Sequence, residues 1–228
     1  MYDSLAAVYD KLIGFDYGGY MRYISPLLHG GGLDLACGSG NMTRLLTQEG
    51  HKMTGADISS AMLSLAAERC EATWVQGDIS KIKFPDNAYG FVTCVCDGFN
   101  YLSPRALART INHIYGCLER GGVLIFDVST PYKLNTLMAG KDFFYEEGGI
   151  YLGWNNYGGG GKCDVYLTLF TPKGDGYEKS EEFHRLYVHE RKFLLSLLKG
   201  FVVRVADGEK YGKVHPRSKR WMFICEKV

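Results

Sequence analysis

Apolar positions recur along this chain with two different periods, and the period changes just past its middle. In the first half, short apolar runs alternate with helically spaced segments. The spacing predicts helices over 4–13 and 18–28, then a short strand at Gly32-Leu33-Asp34-Leu35-Ala36. Residues 41–49 read as a helix with Asn41 as N-cap and Gly50 as its stop. Lys52–Ala56 is a second strand ending at Asp57, and Ser59 or Ser60 caps a helix over 60–70. Thr73–Gln76 and Gly90–Cys96 read as strands, 104–119 as a helix with Pro104 in its first turn, and Gly122–Val128 as a further strand. Cys94 and Cys96, two apart in such a strand, would point to one side. Strands alternating with helices in this way predict a doubly wound, parallel α/β sheet.

Beyond residue 130 the rhythm breaks. Residues 143–187 are rich in aromatics and alternate apolar with polar, as in Tyr166-Leu167-Thr168-Leu169-Phe170-Thr171. That period of two, with glycines and Pro172 between runs, predicts antiparallel strands joined by turns. Gly158-Gly159-Gly160-Gly161 reads as a flexible turn or loop. A helix over 188–199 and two final strands, Phe201–Ala206 and Trp221–Cys225, follow; a loop joins the strands, so they should be antiparallel. The expected organisation is a core of 1–134 and 188–228 carrying a small antiparallel β insertion, 135–187.

Composition narrows the classes. A chain of 228 residues suits one domain with a small insertion. Apolar residues at 46% and charged residues at 22% exclude a disordered chain. Lys+Arg at 26 against Asp+Glu at 25 leaves no overall bias toward nucleic acid or an anionic membrane. No apolar run approaches the roughly 18 residues that span a bilayer. The start, MYDSLAAVYDKL, lacks the basic-then-apolar pattern of a secretory signal, so a cytoplasmic protein is expected. The seven cysteines include no C-x-x-C pair and no Cys/His cluster, so neither disulfides nor a metal is expected.

In an open parallel sheet, ligands bind beyond the carboxyl ends of the strands, where the winding reverses. The loops there are informative. After the first strand, Gly38 and Gly40 let the backbone turn tightly and approach a ligand before a helix opens at Asn41. After the second, Asp57 offers a carboxylate suited to the two hydroxyls of a ribose. After the third, Gly77-Asp78-Ile79 sets an acid for an exocyclic amine beside an apolar residue for a purine face.

Taken in order, LDLACGSGNMT (33–43), GADIS (55–59), GDIS (77–80), VTCVCDGFNYL (92–102) and LERGGVLIFDV (118–128) resemble the class I S-adenosylmethionine-dependent methyltransferases. The resemblance covers about 1–130 strongly, and the two final strands fit the family's terminal hairpin. Ala36 departs from the pattern, standing where many members carry glycine. The resemblance implies a Rossmann-like, seven-stranded sheet, mostly parallel with an antiparallel last strand, and S-adenosylmethionine as cofactor. It implies that Asp34 holds the methionine amino group and that the backbone at Ala36, Cys37 and Gly38 meets its carboxylate and sulfonium. Gly40 and Asn41 close the same loop. Asp57 takes the ribose, Ile58 and Met62 cover the adenine, and Gly77, Asp78 and Ile79 complete its pocket. Cys96 and Asp97 face donor and acceptor, and Tyr9 closes over the cofactor.

Methyl transfer from a sulfonium is an in-line displacement from an activated donor, so alignment and water exclusion matter most. Candidate proton acceptors are Asp97 and, in the insertion, His184, with Glu182 on the same strand face and Tyr187 nearby. After the fourth strand there is no Asn-Pro-Pro-Tyr, Asp-Pro-Pro-Tyr or Pro-Cys, which disfavours methylation of nucleic-acid bases. The insertion resembles the lids of small-molecule N- and O-methyltransferases. The expected partner is therefore a small-molecule acceptor, for a monomer or homodimer with no membrane. The competing class is an RNA or protein methyltransferase using the basic loop 210–220: Lys210, Lys213, His215, Arg217, Lys219 and Arg220. A nicotinamide-binding protein is disfavoured because position 43 is Thr, where the third glycine of G-x-G-x-x-G would stand.

Overall fold

The computed structural model describes residues 14–228; the helix expected over 4–13, and Tyr9 within it, lie outside the described residues. Among the described residues, seven strands form one sheet in the order β10-β11-β5-β4-β1-β2-β3. These are β1 (Gly32–Leu35), β2 (Met53–Asp57), β3 (Thr73–Gln76), β4 (Tyr89–Cys94), β5 (Leu118–Ser129), β10 (Phe201–Asp207) and β11 (Arg220–Lys227). Strands β1 to β5 run parallel, while β11 is antiparallel to both β5 and β10. The central strands lie between helix layers and so read as continuous apolar runs. On one face Leu33, Leu35, Val92, Leu124 and Phe126 pack against Leu107, Ile111 and Ile114 of α4 (Pro104–Cys117) and Leu194 of α5 (Arg191–Leu197). On the other, Phe91, Val123 and Ile125 meet Tyr20 and Ile24 of α1 (Tyr17–Ile24) and Met42 and Leu46 of α2 (Asn41–Gln48).

Local expectations are refined in three places. Gly40, in the left-handed region at φ 78°, is the N-cap of α2, and Asn41 is its first residue. A Cβ on Gly40 would stand 2.7 Å from that of Ala66 in α3 (Ser60–Arg69), so loop and helix pack too closely for any side chain. Ser59 caps α3, its hydroxyl accepting the Met62 N–H at 3.2 Å. The fourth strand stops at Cys94, and Cys96 (φ 57°) and Asp97 (φ 66°) are left-handed, which removes the shared side expected of Cys94 and Cys96.

After β5, a six-residue π-type turn of helix (Lys133–Met138) leads into a second sheet. Strands β6 (Asp142–Glu147), β7 (Ile150–Gly159), β8 (Lys162–Lys173) and β9 (Gly176–Tyr187) form an antiparallel meander. Its own core joins Leu134 and Met138 to Leu152, Val165, Leu167 and Leu169. The four glycines are not a loose loop: Gly158 and Gly159 pair with Cys163 and Lys162, and only Gly160 and Gly161 form the turn. Gly158 faces Ala139, whose Cβ would lie 2.3 Å from a Cβ added there. No helix of the described residues is long and apolar enough to cross a membrane.

Candidate active site

The winding reverses between β1 and β4, and the loops beyond β1, β2, β3 and β4 open there into a cavity of about 410 Å³, a size usual for ligand pockets. Ala36 (φ 53°) and Gly38 (φ 53°) carry the first loop around its floor. A Cβ on Gly38 would meet nothing within 4 Å, so this glycine leaves an open cradle, unlike the packed Gly40.

Asp57 is fastened by backbone at both oxygens: Gly38 N–H donates to Oδ2 and Ser59 N–H to Oδ1, each at 2.9 Å. An ionised carboxylate has about four acceptor sites, so these two N–H bonds leave acceptor capacity for a ligand. Burial raises its pKa, against the pull of those N–H groups. Ile58, Met62, Gly77 and Ile79 supply the neighbouring wall, with Cys37 and Cys96 nearer β1 and β4. Asp78 also lines the cavity. Its Oδ1 accepts from the Ser80 N–H (2.9 Å) and hydroxyl (2.7 Å), and Lys81 lies 3.1 Å from its Oδ2. Burial opposes ionisation there, yet the Ser80 and Lys81 contacts lower its pKa.

Three residues expected at the site stand behind its wall. Asp34 is fully buried, Thr43 and Thr93 donating hydroxyls to its two oxygens at 2.6 and 2.8 Å. Burial pushes its carboxyl to about 6, with the hydroxyls pulling the other way. Gly40 shapes the loop, and Asn41 accepts from Arg69 at 3.0 Å.

Asp97 and His184 line a second cavity, of about 240 Å³, between the main sheet and the inner face of the second one. Cys96 and Tyr101 belong to the walls of both cavities. Arg220 grips Asp97 with both terminal nitrogens, at 2.7 and 3.1 Å, and also bonds Asp127. Lys133 stands 3.5 Å from Asp97. Burial resists an ionised Asp97, but the Arg220 guanidinium and then Lys133 outweigh it and hold the carboxyl below the usual range. A carboxylate so held is a poor proton acceptor near neutrality. Arg220 therefore leaves the expected basic run: it turns inward, while Lys210, Lys213, His215, Arg217 and Lys219 stay exposed. His184 is 2% exposed, its Nε2 lies 3.1 Å from Glu182 Oε2, and its ring meets Tyr101 edge-on.

Tyr17, Tyr101 and Lys133 had no role assigned from the sequence, and Arg220 was expected only in the basic loop. Tyr101 sits inside the quoted VTCVCDGFNYL segment, where its place after β4 was a usable signal. Tyr17, whose hydroxyl lies 3.5 Å from the Cys96 sulfur, had none.

A parallel sheet with a reversed last strand, holding a glycine loop and a braced carboxylate at its switch point, defines a Rossmann-like enzyme that binds a nucleoside-bearing cofactor. Comparison with known proteins narrows that class. A methyltransferase-domain family matches residues 33–122. GWCH70_2453 of Geobacillus sp. (strain WCH70), a methyltransferase by name with no acceptor stated, is 31% identical over 205 residues, covering 83% of each chain. The crystal structure of an S-adenosylmethionine-dependent methyltransferase from Clostridium acetobutylicum ATCC 824 superposes with a TM-score of 0.90 at 26% identity, over 99% of this chain and 98% of that one. The sugar N-methyltransferase KedS8 from Streptoalloteichus sp. ATCC 53650 shares the fold, with a TM-score of 0.74 at 19% identity over 92% and 84% of the two chains. The chain belongs to the S-adenosylmethionine-dependent methyltransferases. It is an enzyme, and S-adenosylmethionine is its methyl donor.

Proposed function

We propose that the enzyme methylates a nitrogen or oxygen of a small molecule seated in the second cavity, with the donor in the first. The observation that carries this reading is the meeting of the two cavities at Cys96 and Tyr101. A reaction in line needs donor and acceptor to touch at one point and be dry elsewhere.

The first cavity's chemistry fits the donor. Asp57 would accept the ribose hydroxyls, and Ile58, Met62 and Ile79 would cover the adenine. Asp78 would take the exocyclic amine. The open backbone at Ala36, Cys37 and Gly38 would cradle the methionine end, with Asp34 acting through the loop it anchors. When bound, the sulfonium supplies an electrophilic methyl group. The chain's own part is alignment, exclusion of water and, for acceptors that need it, removal of a proton. His184, with Glu182 to orient its ring, is the better placed of the two expected proton acceptors, since Asp97 is neutralised by Arg220. Asp97 then acts electrostatically, holding Arg220 and Lys133 at the acceptor's edge.

The division of labour follows the two sheets: residues 1–134 and 188–228 bind the donor, and 135–187 form a lid over the acceptor. Leu152, Trp154, Val165 and Leu167 present an apolar lid face to the second cavity, with His184 beside them. A compact acceptor with one polar edge suits that wall. A sugar nitrogen, which the name of KedS8 gives as its target, is an acceptor of that kind.

The test is incorporation of labelled methyl from S-adenosylmethionine into a metabolite extract, in parallel with total RNA and a protein extract. Label in small molecules, lost in His184→Asn while donor binding persists, supports the reading. Label confined to RNA, falling steeply with salt, would transfer the function to the exposed basic loop.

A further inference from the structure

The chain leaves the main sheet at Ser129, the last residue of β5, and returns from the second sheet at Tyr187, the last residue of β9. Both ends meet one side chain, Asn100, in the 3-10 turn Gly98–Tyr101 that follows β4. The Ser129 N–H donates to Asn100 Oδ1 at 2.9 Å. Asn100 Nδ2 donates to the Tyr187 carbonyl at 2.9 Å and to the Ser129 carbonyl at 3.3 Å. Asn100 is fully buried, so water offers no substitute for these bonds. The residue type suits the place: a neutral amide carries an acceptor oxygen and two N–H donors on one short stem. An ionised carboxylate would turn lone pairs toward both carbonyls, and glutamine is a methylene too long for a close-packed site. A further contact ties the returning chain to the same turn, His189 Nε2 lying 3.2 Å from the Phe99 carbonyl.

The backbone that leads into this turn is costly to form. Cys96 and Asp97 stand in the left-handed region, at φ 57° and 66°, where a Cβ crowds the chain. Such a conformation persists only where its surroundings over-determine it. Asp127, on β5, accepts the N–H of Cys96 at 3.1 Å and of Asp97 at 3.0 Å, and the Asn100 N–H donates to the Asp97 carbonyl at 2.8 Å. The segment is thus pinned to β5 at Asp127 and, through the Asn100 amide, at Ser129. It presents Cys96 and Tyr101, the residues that belong to both cavities. Tyr187, whose carbonyl Asn100 holds, also lines the first cavity.

We infer that Asn100 is a positioning residue for methyl transfer: it seats the second sheet, and with it the acceptor's wall, at a fixed distance from the donor. The inference rests on the reading that the second cavity holds the acceptor. Trp154, Leu167 and His184 reach that cavity from strands lying between the two ends that Asn100 fastens. A slip of about 1 Å in such a wall costs an in-line reaction on the order of a hundredfold. Asn100 lines neither cavity itself and acts through Tyr101 and Tyr187.

Asn100→Asp in the full chain tests this, because it keeps the volume and the acceptor for Ser129 but removes both donations. The readouts are calorimetry of S-adenosylmethionine, hydrogen–deuterium exchange, and the rate of labelled-methyl transfer to a metabolite extract at saturating donor. Donor affinity and the exchange of β1 and β4 should match wild type. Exchange should quicken at 129–141 and 184–189, and transfer should fall roughly tenfold or more. If Asn100→Asp does not fold, Asn100→Ser, which keeps a hydroxyl donor, provides the same comparison. A folded variant with wild-type exchange at both ends, or with loosened ends and wild-type transfer, overturns the inference. So does a uniform rise in exchange with donor binding and transfer lost together, which would leave Asn100 a role in folding alone. A wild type that labels only RNA or protein fails the acceptor reading instead, and the variant's transfer to that substrate then decides the role of Asn100 by the same criteria.

Discussion

The Gly38 N–H donates to Asp57 Oδ2 at 2.9 Å, tying the glycine loop after β1 to the carboxylate that ends β2. One bond thus sets both the curvature of the loop and the aim of the acid. Asp57→Ala should therefore weaken S-adenosylmethionine by about 1.5–3 kcal/mol, the worth of hydrogen bonds to a charged group. Asp57→Asn, which keeps one acceptor oxygen, should fall between. Calorimetry on both variants checks this; wild-type affinity in Asp57→Ala would move the ribose elsewhere.

The two loop glycines should fail in different ways. Gly40→Ala adds a methyl 2.7 Å from Ala66 at φ 78°, so the melting temperature should fall. The left-handed backbone alone costs an alanine about 1–2 kcal/mol, and the clash adds to it. Gly38→Ala incurs the backbone cost without a clash, but its methyl enters the first cavity. It should melt closer to wild type and lose more donor affinity. Melts and donor titrations of the pair separate these effects.

Asp34 should leave a signature in the pH dependence of stability. Its carboxyl rises from 3.8 to about 6 on folding, chiefly through burial. The folded chain thus binds this proton more tightly than the unfolded chain, so this group's contribution to stability falls as pH rises from about 4 to about 6. At 1.36 kcal/mol per unit the change is about 3 kcal/mol. Asp34→Asn keeps partners for Thr43 and Thr93 but cannot ionise. Relative to wild type it should gain about that much between pH 4 and pH 7.5 in urea unfolding. A difference that does not vary with pH would show that Asp34 does not titrate in that range.

Arg220 holds two buried carboxylates, Asp97 and Asp127. Arg220→Met should cost about 3–5 kcal/mol at neutral pH, because it leaves those charges uncompensated. In wild type the depressed pKa of Asp97 contributes stability above the unfolded carboxylate range, lost as pH falls through the folded value. The variant lacks that contribution and gains from protonating both acids. Its deficit should shrink between pH 7 and pH 5, as paired urea titrations would show; a deficit unchanged over that interval would contradict the ion-pair account.

The sequence by itself determined the parts that depend on near neighbours. The strand at Thr73–Gln76, a serine cap at 59 or 60, the βα alternation and the four ligand loops follow from periods of 2 and 3.6 and from glycine, proline and capping residues, which act over a few residues. The order of those loops along the chain also implied a common site, since parallel strands bring their carboxyl ends together. Only the tertiary structure decided which charges are solvated and which face each strand turns inward. Arg220 ends a basic run and reads as exposed, yet β11 pairs it with Ser129 of β5 and delivers its guanidinium to Asp97, 123 residues away. Asp34 reads as a ligand contact, yet Thr93, brought alongside by β1–β4 pairing, seals it behind the cavity. The aromatics of 143–187 alternate clearly, but alternation has no sign: Leu167 inward and Tyr166 outward is set by which side the main sheet lies on.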